Sequence, residues 1–373
     1  MQLEKSNMKI NISVHLRRLS GIAAASVLAC GLLATNAHAQ SAEGRIILGV
    51  DETASEYWAE FLQGAKSVAK SVNREAVVLV ANYQGQQLLT QLSAVYSSGC
   101  DKCSLVAIPS TNAFTKAILD RSARAGVKVV TIWNRPEELH PWDTQSATWV
   151  AHNSFDGVAS GYIGGMAICK ALSGKGKIAA IGGGSSSAVA RQRLDGLKKA
   201  IAECPGLELV DVQYGEWQEI KAQSITRTWL AKYGDELKAI AAGNDAMASG
   251  AIAALREKGL NGKIFVTGSD GSAVAFDLIK KGDMLATVWQ NPSLQGAVTA
   301  ALAYAAAMGD IDPEKLPQAQ RDFYMKQSAV DASNVDKFIE LKKNAPSYDY
   351  ADLKSKLWDT SEGQIPVGAN NVR

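Results

Sequence analysis

The chain has 373 residues, of which 47% are hydrophobic and 20% are charged, a composition that excludes a disordered protein and suits two domains of ordinary size. The formal net charge is +2, but residues 1–39 contain four basic residues and one acidic residue, so the rest of the chain carries 35 basic and 36 acidic residues. This near-neutral remainder lacks the basic excess of a nucleic-acid-binding protein, and we exclude that class.

The N-terminus has the pattern of a secretory signal peptide. Basic residues precede a short run of small and apolar residues from Gly21 to Leu33, and Ala37-His38-Ala39 offers a small-x-small cleavage site. We therefore expect residues 1–39 to be removed after Ala39 and the mature protein to be exported. Cys30 lies in a poor match to a lipoprotein box, which leaves lipidation as the alternative. No later stretch reaches the roughly 18 consecutive apolar residues of a membrane span.

From Gly44 onward, short β-branched runs alternate with helical stretches. The first half is predicted to contain strands at 45–50, 76–81, 105–108 and 127–132, separated by helices at 56–72, 87–97 and 111–125. After Asn153 the pattern starts again, with strands at 177–181, 207–213, 239–242, 264–267 and 285–288. Continuous apolar strands between amphipathic helices are typical of a parallel sheet that is covered on both faces. The predicted fold class is therefore α/β, with two successive doubly wound units.

Four cysteines lie outside the predicted signal peptide, an even number that suits an oxidising compartment. Cys100 and Cys103 are interpreted as a local disulfide or as two thiols without a chemical role. A redox motif or half of a zinc site is the less favoured interpretation of their spacing. Zinc has few candidate ligands, because there is no second CxxC and only His140 and His152 remain. The other two cysteines lie near the ends of predicted helices and are candidates for a second disulfide: Cys169 and Cys204.

Polar and aromatic residues follow the predicted strands. Ligands of doubly wound sheets bind beyond the carboxyl ends of the strands, and two units that face each other would line one shared cleft. The residues near these ends are Asp51, Tyr57, Trp58, Trp133, Asn134, Arg135, Arg191, Trp217, Asn244, Asp270 and Gln290. Aromatic rings cover the C–H faces of a sugar, while charged and amide groups hydrogen-bond its hydroxyls. Each residue alone is more often a turn or cap, so the predicted polyol site depends on their joint position.

Motifs for other chemistries are weaker. The Gly-rich turn Ile181-Gly-Gly-Gly-Ser-Ser-Ser187 matches neither phosphate-binding pattern, and a flexible turn is the favoured interpretation. The sequence has no GxSxG, HExxH or EF-hand pattern, and the two remaining histidines leave little scope for a Ser-His-Asp triad. Carboxylate chemistry stays open as an alternative.

Four stretches, at 189–196, 242–251, 267–271 and 285–292, resemble the periplasmic sugar-binding proteins of ABC importers, the ribose-binding-like group of type I periplasmic binding proteins. The resemblance runs from about Arg45 to about Ala329. It implies two lobes joined by a three-crossover hinge: 43–152 plus 291–324 in the first lobe and 153–290 plus 325–341 in the second. Residues 342–373 are expected to wrap the surface as a tail.

The resemblance also implies a set of ligand contacts: Asp51, Ser55, Tyr57, Trp58, Asn134, Arg135, Arg191, Trp217, Asn244, Asp270 and Gln290. The family usually has Asp-Arg where this chain has Asn134-Arg135, and a small polar residue often stands at the position of Asp51. The identity of the ligand is therefore not carried over. The tryptophans favour a pyranose or a polyol over ribose, and the two arginines leave sugar acids open.

The function implied by this resemblance is that of the substrate-binding component of an ABC importer. A monosaccharide or sugar alcohol would bind between the lobes, close the hinge, and be delivered to a permease in the inner membrane. The protein is expected to be a periplasmic monomer that makes and breaks no bond and uses no metal or cofactor. One alternative is a ligand-binding module for a chemoreceptor or sensor kinase, and the other is an exported carbohydrate-acting enzyme with Asp51 and Asp270 as paired carboxylates.

Overall fold

The computed structural model describes residues 44–365, so the predicted signal peptide, its cleavage site and Cys30 lie outside the described residues. Two sheets define two lobes. The N-terminal lobe is built on a seven-stranded sheet and the C-terminal lobe on a six-stranded sheet. The predicted α/β fold with two parallel-sheet lobes is confirmed. Between residues 44 and 365, no helix is both long enough and apolar enough to cross a membrane.

The sheet of the N-terminal lobe has the strand order β13-β11-β5-β4-β3-β1-β2 and is parallel except for β13. Its strands are β1 (Ile46–Val50), β2 (Ala76–Val80), β3 (Ser104–Ala107), β4 (Lys128–Ile132), β5 (Trp149–Ser154), β11 (Asp322–Met325) and β13 (Ser361–Gln364). Its helices are α1 (Glu56–Ser71), α2 (Gly85–Ser97), α3 (Thr115–Arg124), α9 (Pro292–Met308), α10 (Gln318–Arg321) and α12 (Tyr350–Lys354). Every residue of β1 is buried, because helices cover both faces of the sheet.

The sheet of the C-terminal lobe has the strand order β12-β10-β9-β8-β6-β7, with β12 antiparallel to β10. Its strands are β6 (Lys175–Gly182), β7 (Gly206–Tyr214), β8 (Leu237–Ala242), β9 (Phe265–Thr267), β10 (Ala286–Trp289) and β12 (Ser328–Asp331). Its helices are α4 (Gly157–Ala171), α5 (Ala188–Glu203), α6 (Glu219–Tyr233), α7 (Asp245–Arg256), α8 (Ala273–Lys280) and α11 (Val335–Lys343). Each sheet has its own apolar core, and the two cores meet at the cleft, where Val189 and Trp217 of the C-terminal lobe pack against the N-terminal core.

The chain passes between the lobes after β5, after β10 and after β11, at the three connections of the hinge. The C-terminal tail adds a fourth passage, because α11 packs in the C-terminal lobe while the residues that follow return to the N-terminal lobe. There the Tyr348 N–H donates to Ser67 Oγ at 3.1 Å and the Tyr350 N–H to Ser71 Oγ at 2.9 Å. The tail then forms α12 and the edge strand β13.

Both pairs of cysteines form disulfides. Cys100 and Cys103 are bonded in the turn between α2 and β3, and Cys169 and Cys204 join the ends of α4 and α5. In the part of the chain that the structure describes, no three His, Cys, Asp or Glu side chains are placed to hold a metal ion.

Candidate functional site

A cavity of about 760 Å³ lies between the lobes, at the carboxyl ends of the parallel strands of both sheets. Eight of the residues predicted from the sequence line it: Asp51, Ser55, Tyr57, Trp58, Asn134, Trp217, Asn244 and Asp270. The other three, Arg135, Arg191 and Gln290, do not. The cavity also contains Arg193, Trp133 and Ser110, of which Arg193 and Ser110 are not among the predicted residues.

Aromatic rings from both lobes line the cavity. Trp133 follows β4 in the N-terminal lobe, and its indole N–H donates to the Tyr57 hydroxyl at 3.0 Å. Trp217 follows β7 in the C-terminal lobe and packs against Gly183, where a Cβ atom would lie 2.1 Å from the indole ring. Both tryptophans have a φ of +64°, a conformation rare for side chains of this size, so the surrounding contacts must hold them in place. Trp58 is 7% exposed and packs edge-on against Tyr57.

Arg193 is the buried cation of the cavity. Its guanidinium carbon lies 5.6 Å from the centroid of the Trp133 ring and 5.8 Å from that of Trp217, so it sits between the aromatic rings of the two lobes. It donates to Gln290 Oε1 at 2.8 Å and to the Gly243 carbonyl, and it lies 3.7 Å from Asp270. The Nε atom is buried without a partner among the described residues. Arginine stays charged in proteins, so Arg193 offers the cavity a cationic donor.

The packing of α5 against α4 fixes the position of Arg193. Gly161 of α4 lies so close to α5 that a Cβ atom there would be 1.8 Å from the Arg193 carbonyl oxygen. Gly196 makes the reciprocal approach, with its Cβ position 2.0 Å from the Val158 carbonyl oxygen. Any side chain at either position would push α5 away from α4 and move Arg193 with it.

Arg191 and Arg135 lie away from the cavity, so the expectation that they line it is corrected. Residues two positions apart in an α-helix are separated by about 200° around its axis, so Arg191 points outward from α5 when Arg193 points inward. Its side chain is 45% exposed and lies 3.4 Å from Glu137. Arg135 turns back beneath the end of β4 and pairs with the buried carboxylate of Asp322 at 2.8 Å.

Gln290 does not line the cavity but contacts Arg193, which does. Its side-chain oxygen accepts from Arg193, while its Nε2 donates to Gln327 Oε1 at 2.9 Å and to Ser160 Oγ at 3.1 Å. Gln327 in turn donates to the Asp156 carbonyl at 2.8 Å. Because Asp156, Gln290 and Gln327 belong to the three hinge connections, this network ties Arg193 directly to the hinge.

Two carboxylates on opposite lobes are held in poorly solvated positions. Asp51 follows β1, is 3% exposed, and accepts a hydrogen bond from Ser110 Oγ at 2.6 Å. Burial raises the pKa of Asp51 to about 6, against the opposing effect of the Ser110 hydrogen bond. Burial likewise raises the pKa of Asp270 to about 8, although the nearby Arg193 guanidinium lowers it. Hydrogen-bond donors of a bound ligand would therefore stabilise both carboxylates.

Neighbouring polar residues shape the cavity wall. Asn134 forms hydrogen bonds across the cleft: its side-chain oxygen accepts from Ser187 Oγ and from the Ala188 N–H of α5, each at 3.1 Å. Asn244 caps α7 by accepting from the Met247 N–H at 3.0 Å. Asp245 accepts from the N–H groups of residues 271 and 272, each at 2.8 Å, and so holds the loop that carries Asp270.

Comparisons with known proteins agree with this geometry. Residues 46–311 match the periplasmic binding protein domain family. The D-ribose/D-allose-binding protein of Pseudomonas aeruginosa is 30% identical over 289 residues, which cover 75% of this chain and 87% of that protein. A twin-arginine translocation pathway signal protein from Burkholderia phytofirmans, known from its crystal structure, is 31% identical in sequence. The superposition covers 87% of this chain and 99% of that chain, with a TM-score of 0.83.

A solute-binding protein from Actinobacillus succinogenes, solved with bound D-allose, is 26% identical, with a TM-score of 0.69 over 79% of this chain and 99% of its own. The family match covers most of both lobes, and the strand order and interlobe cavity agree with it. The chain therefore belongs to the type I periplasmic binding proteins, in their ribose-binding-like group.

Proposed function

We propose that the protein is the substrate-binding component of an ABC importer and that it captures a monosaccharide or sugar alcohol in the interlobe cavity. The observation that carries this proposal is the position of Arg193 between Trp133 of one lobe and Trp217 of the other. A ring bound against these three side chains would contact both lobes at once. It would therefore bind the closed form more tightly than the open form and shift the equilibrium toward closure.

The charges that line the cavity disfavour an anionic ligand such as a sugar acid. Eight carboxylates and three cationic side chains line it, and the buried Arg193 is already paired with Asp270. Sugar acids were left open by Arg135 and Arg191, which lie outside the cavity. The carboxyl groups of Asp51 and Asp270 form hydrogen bonds with hydroxyls, and the aromatic faces cover the C–H groups of the ring.

In this role the carboxylates bind hydroxyls and no bond of the sugar is broken. The mature protein would begin at Gln40, act as a periplasmic monomer, and present the closed pair of lobes to an inner-membrane permease. Support for the compartment comes from the family and from the two disulfides, which are typical of oxidising compartments.

A thermal-shift screen of residues 40–373 tests the proposal. The panel contains D-ribose, D-allose, D-xylose, L-arabinose, myo-inositol, xylitol and D-gluconate. A ligand that binds only the folded state raises the melting temperature by an amount that grows with its concentration. We expect a shift with a neutral sugar or polyol and its unchanged recovery, by chromatography, after long incubation. A shift with gluconate alone would refute the neutral-ligand assignment, and a new product would refute the binding role.

A further inference from the structure

Lys342 lies at the boundary between the lobes, in the last turn of α11. The body of α11 is fixed in the C-terminal lobe, where the Phe338 ring packs 5.1 Å from the Trp289 ring and 6.4 Å from the Phe276 ring, between centroids. The Lys342 ammonium donates to the Gly271 carbonyl at 3.1 Å and lies 5.9 Å from the Phe276 ring centroid. The C-terminal lobe therefore holds the side chain of Lys342 in one direction.

That direction is across the cleft. The Lys342 ammonium lies 2.8 Å from Glu56 Oε1 and 2.7 Å from Glu60 Oε1, both on α1 of the N-terminal lobe. Glu56 and Glu60 are one helical turn apart, so they share a face and present two carboxylates to one cation. Glu56 Oε1 also accepts from the Ala273 N–H of the C-terminal lobe at 2.8 Å.

The ion-pair cluster is partly shielded from water. The side chain of Lys342 is 14% exposed, that of Glu60 21%, and that of Glu56 30%. Burial by itself would lower the pKa of Lys342, but the hydrogen bonds and the negative charges of Glu56 and Glu60 together outweigh burial and raise it, so the ammonium is charged at neutral pH. Ion pairs in such positions are screened by salt less than exposed ones are.

The cluster also separates two cavities. Lys342 and Glu60 line the ligand cavity on one side and, on the other, a cavity of about 550 Å³ between α1 and α11. Immediately after Lys343, the chain leaves the C-terminal lobe on its fourth passage. Opening of the lobes would draw α1 away from α11 and break the contacts of Lys342 with both glutamates.

We propose that Lys342, Glu56 and Glu60 form an interlobe clasp that stabilises the closed arrangement whether or not ligand is bound. In this role Lys342 positions the two lobes relative to each other. Its contacts with the N-terminal lobe exist only when the lobes are together, so they shift the open–closed equilibrium toward closure. The consequence for ligand affinity rests on the proposed function, whereas the effect on the free protein does not.

Small-angle X-ray scattering of the ligand-free protein tests the clasp. Lys342→Met keeps the apolar stem and removes the charge, which leaves Glu56 and Glu60 facing each other without a cation. We expect the ratio of open to closed molecules to rise about tenfold, seen as a larger radius of gyration. Lys342→Arg keeps the cation and should stay close to the natural protein.

Lys343→Met is the matched control, because it removes a neighbouring charge that is exposed and makes no contact with Glu56 or Glu60. Glu60→Gln provides a second route should Lys342→Met fold poorly by circular dichroism, and it should open the lobes in the same direction. Superimposable scattering from folded Lys342→Met, Glu60→Gln and natural proteins would overturn the clasp. Since no ligand is present, a negative sugar panel and a negative scattering result are independent outcomes.

Discussion

The two arginines of α5 make a sharp test of the site, because they are two residues apart and face opposite ways. We consider Arg193→Met and Arg191→Met. Methionine preserves an unbranched stem that can fill the space between Trp133 and Trp217, so Arg193→Met removes mainly the charge and its donors. The same change at the exposed Arg191 removes a charge that lies 3.4 Å from Glu137 on the outer surface.

The expected magnitudes follow from burial. Removing one member of a buried, hydrogen-bonded charge pair costs a complex about 2–5 kcal/mol, so we expect Arg193→Met to weaken ligand binding by about 3 kcal/mol, or about 150-fold. Asp270 would also lose the guanidinium 3.7 Å away, which raises the pKa of its carboxyl further and makes it a poorer acceptor. An exposed ion pair contributes little, so Arg191→Met should change affinity by less than about threefold.

Isothermal titration calorimetry with the sugar or polyol identified by thermal shift measures both affinities at neutral pH. Circular dichroism melting of each variant confirms that the lobes are folded before binding is compared. Equal weakening by the two substitutions would show that the inward direction of Arg193 is not what matters. Retention of affinity within about threefold by folded Arg193→Met would refute its assignment as a ligand-binding cation.

Other perturbations separate the roles of Gln290, Asp51 and the Cys169–Cys204 disulfide. Gln290→Ala should weaken binding about tenfold by releasing Arg193, and an unchanged affinity in calorimetry would show that Gln290 does not position it. Burial raises the pKa of Asp51 from 3.8 to about 6, so the folded protein favours the neutral form of this side chain. Its effect on the free energy of unfolding of the ligand-free protein is therefore fully stabilising below about pH 4 and is lost as the pH rises through about 6, a decrease of about 3 kcal/mol. Asp51→Asn should flatten that decline in urea unfolding, and an identical pH profile would contradict it. The disulfide spans a sequence separation of 35, so replacing both cysteines by serine should lower the free energy of unfolding by about 4 kcal/mol, and a loss below about 1 kcal/mol would contradict the loop-entropy reasoning.

Much of the cavity is predictable because its residues directly follow apolar strands. Asp51, Trp133 and Asp270 follow β1, β4 and β9, and carboxyl ends of parallel strands meet at one edge of a sheet. The strand β5 is not among the predicted strands. It contains His152, Asn153 and Ser154, whose polar side chains are buried beside the hinge, and this interrupts the apolar run by which parallel strands are recognised.

The choice between Arg191 and Arg193 requires the helical phase. Val189, Arg193, Gly196 and Ala200 are buried at intervals of three or four residues along α5, so Arg193 lies on the apolar face. That periodicity is present in the sequence and identifies the inward arginine. The direction of Arg135 has no such signal, because it depends on Asp322, far along the chain in β11.

The clasp could not be predicted in the same way. Lys342 meets Glu56 and Glu60 only because α11 packs against α8 and the tail returns to the first lobe, and both are long-range events. Within the local sequence, Lys342 is one of several lysines near the end of a short helix, a common position for a basic residue.

The short strand β13 protects the sheet that it joins. Without it, β11 would be the outermost strand, with the apolar Phe323 and Met325 in a segment whose peptide groups could pair with another molecule. β13 pairs with β11 and presents Glu362 and Gly363 outward, a poor template for further strand addition. The residues that follow α11 therefore cover a sheet edge as well as making the fourth passage between the lobes: a chain that ended after α11 would leave the peptide groups of β11 open to pairing with another copy of the protein.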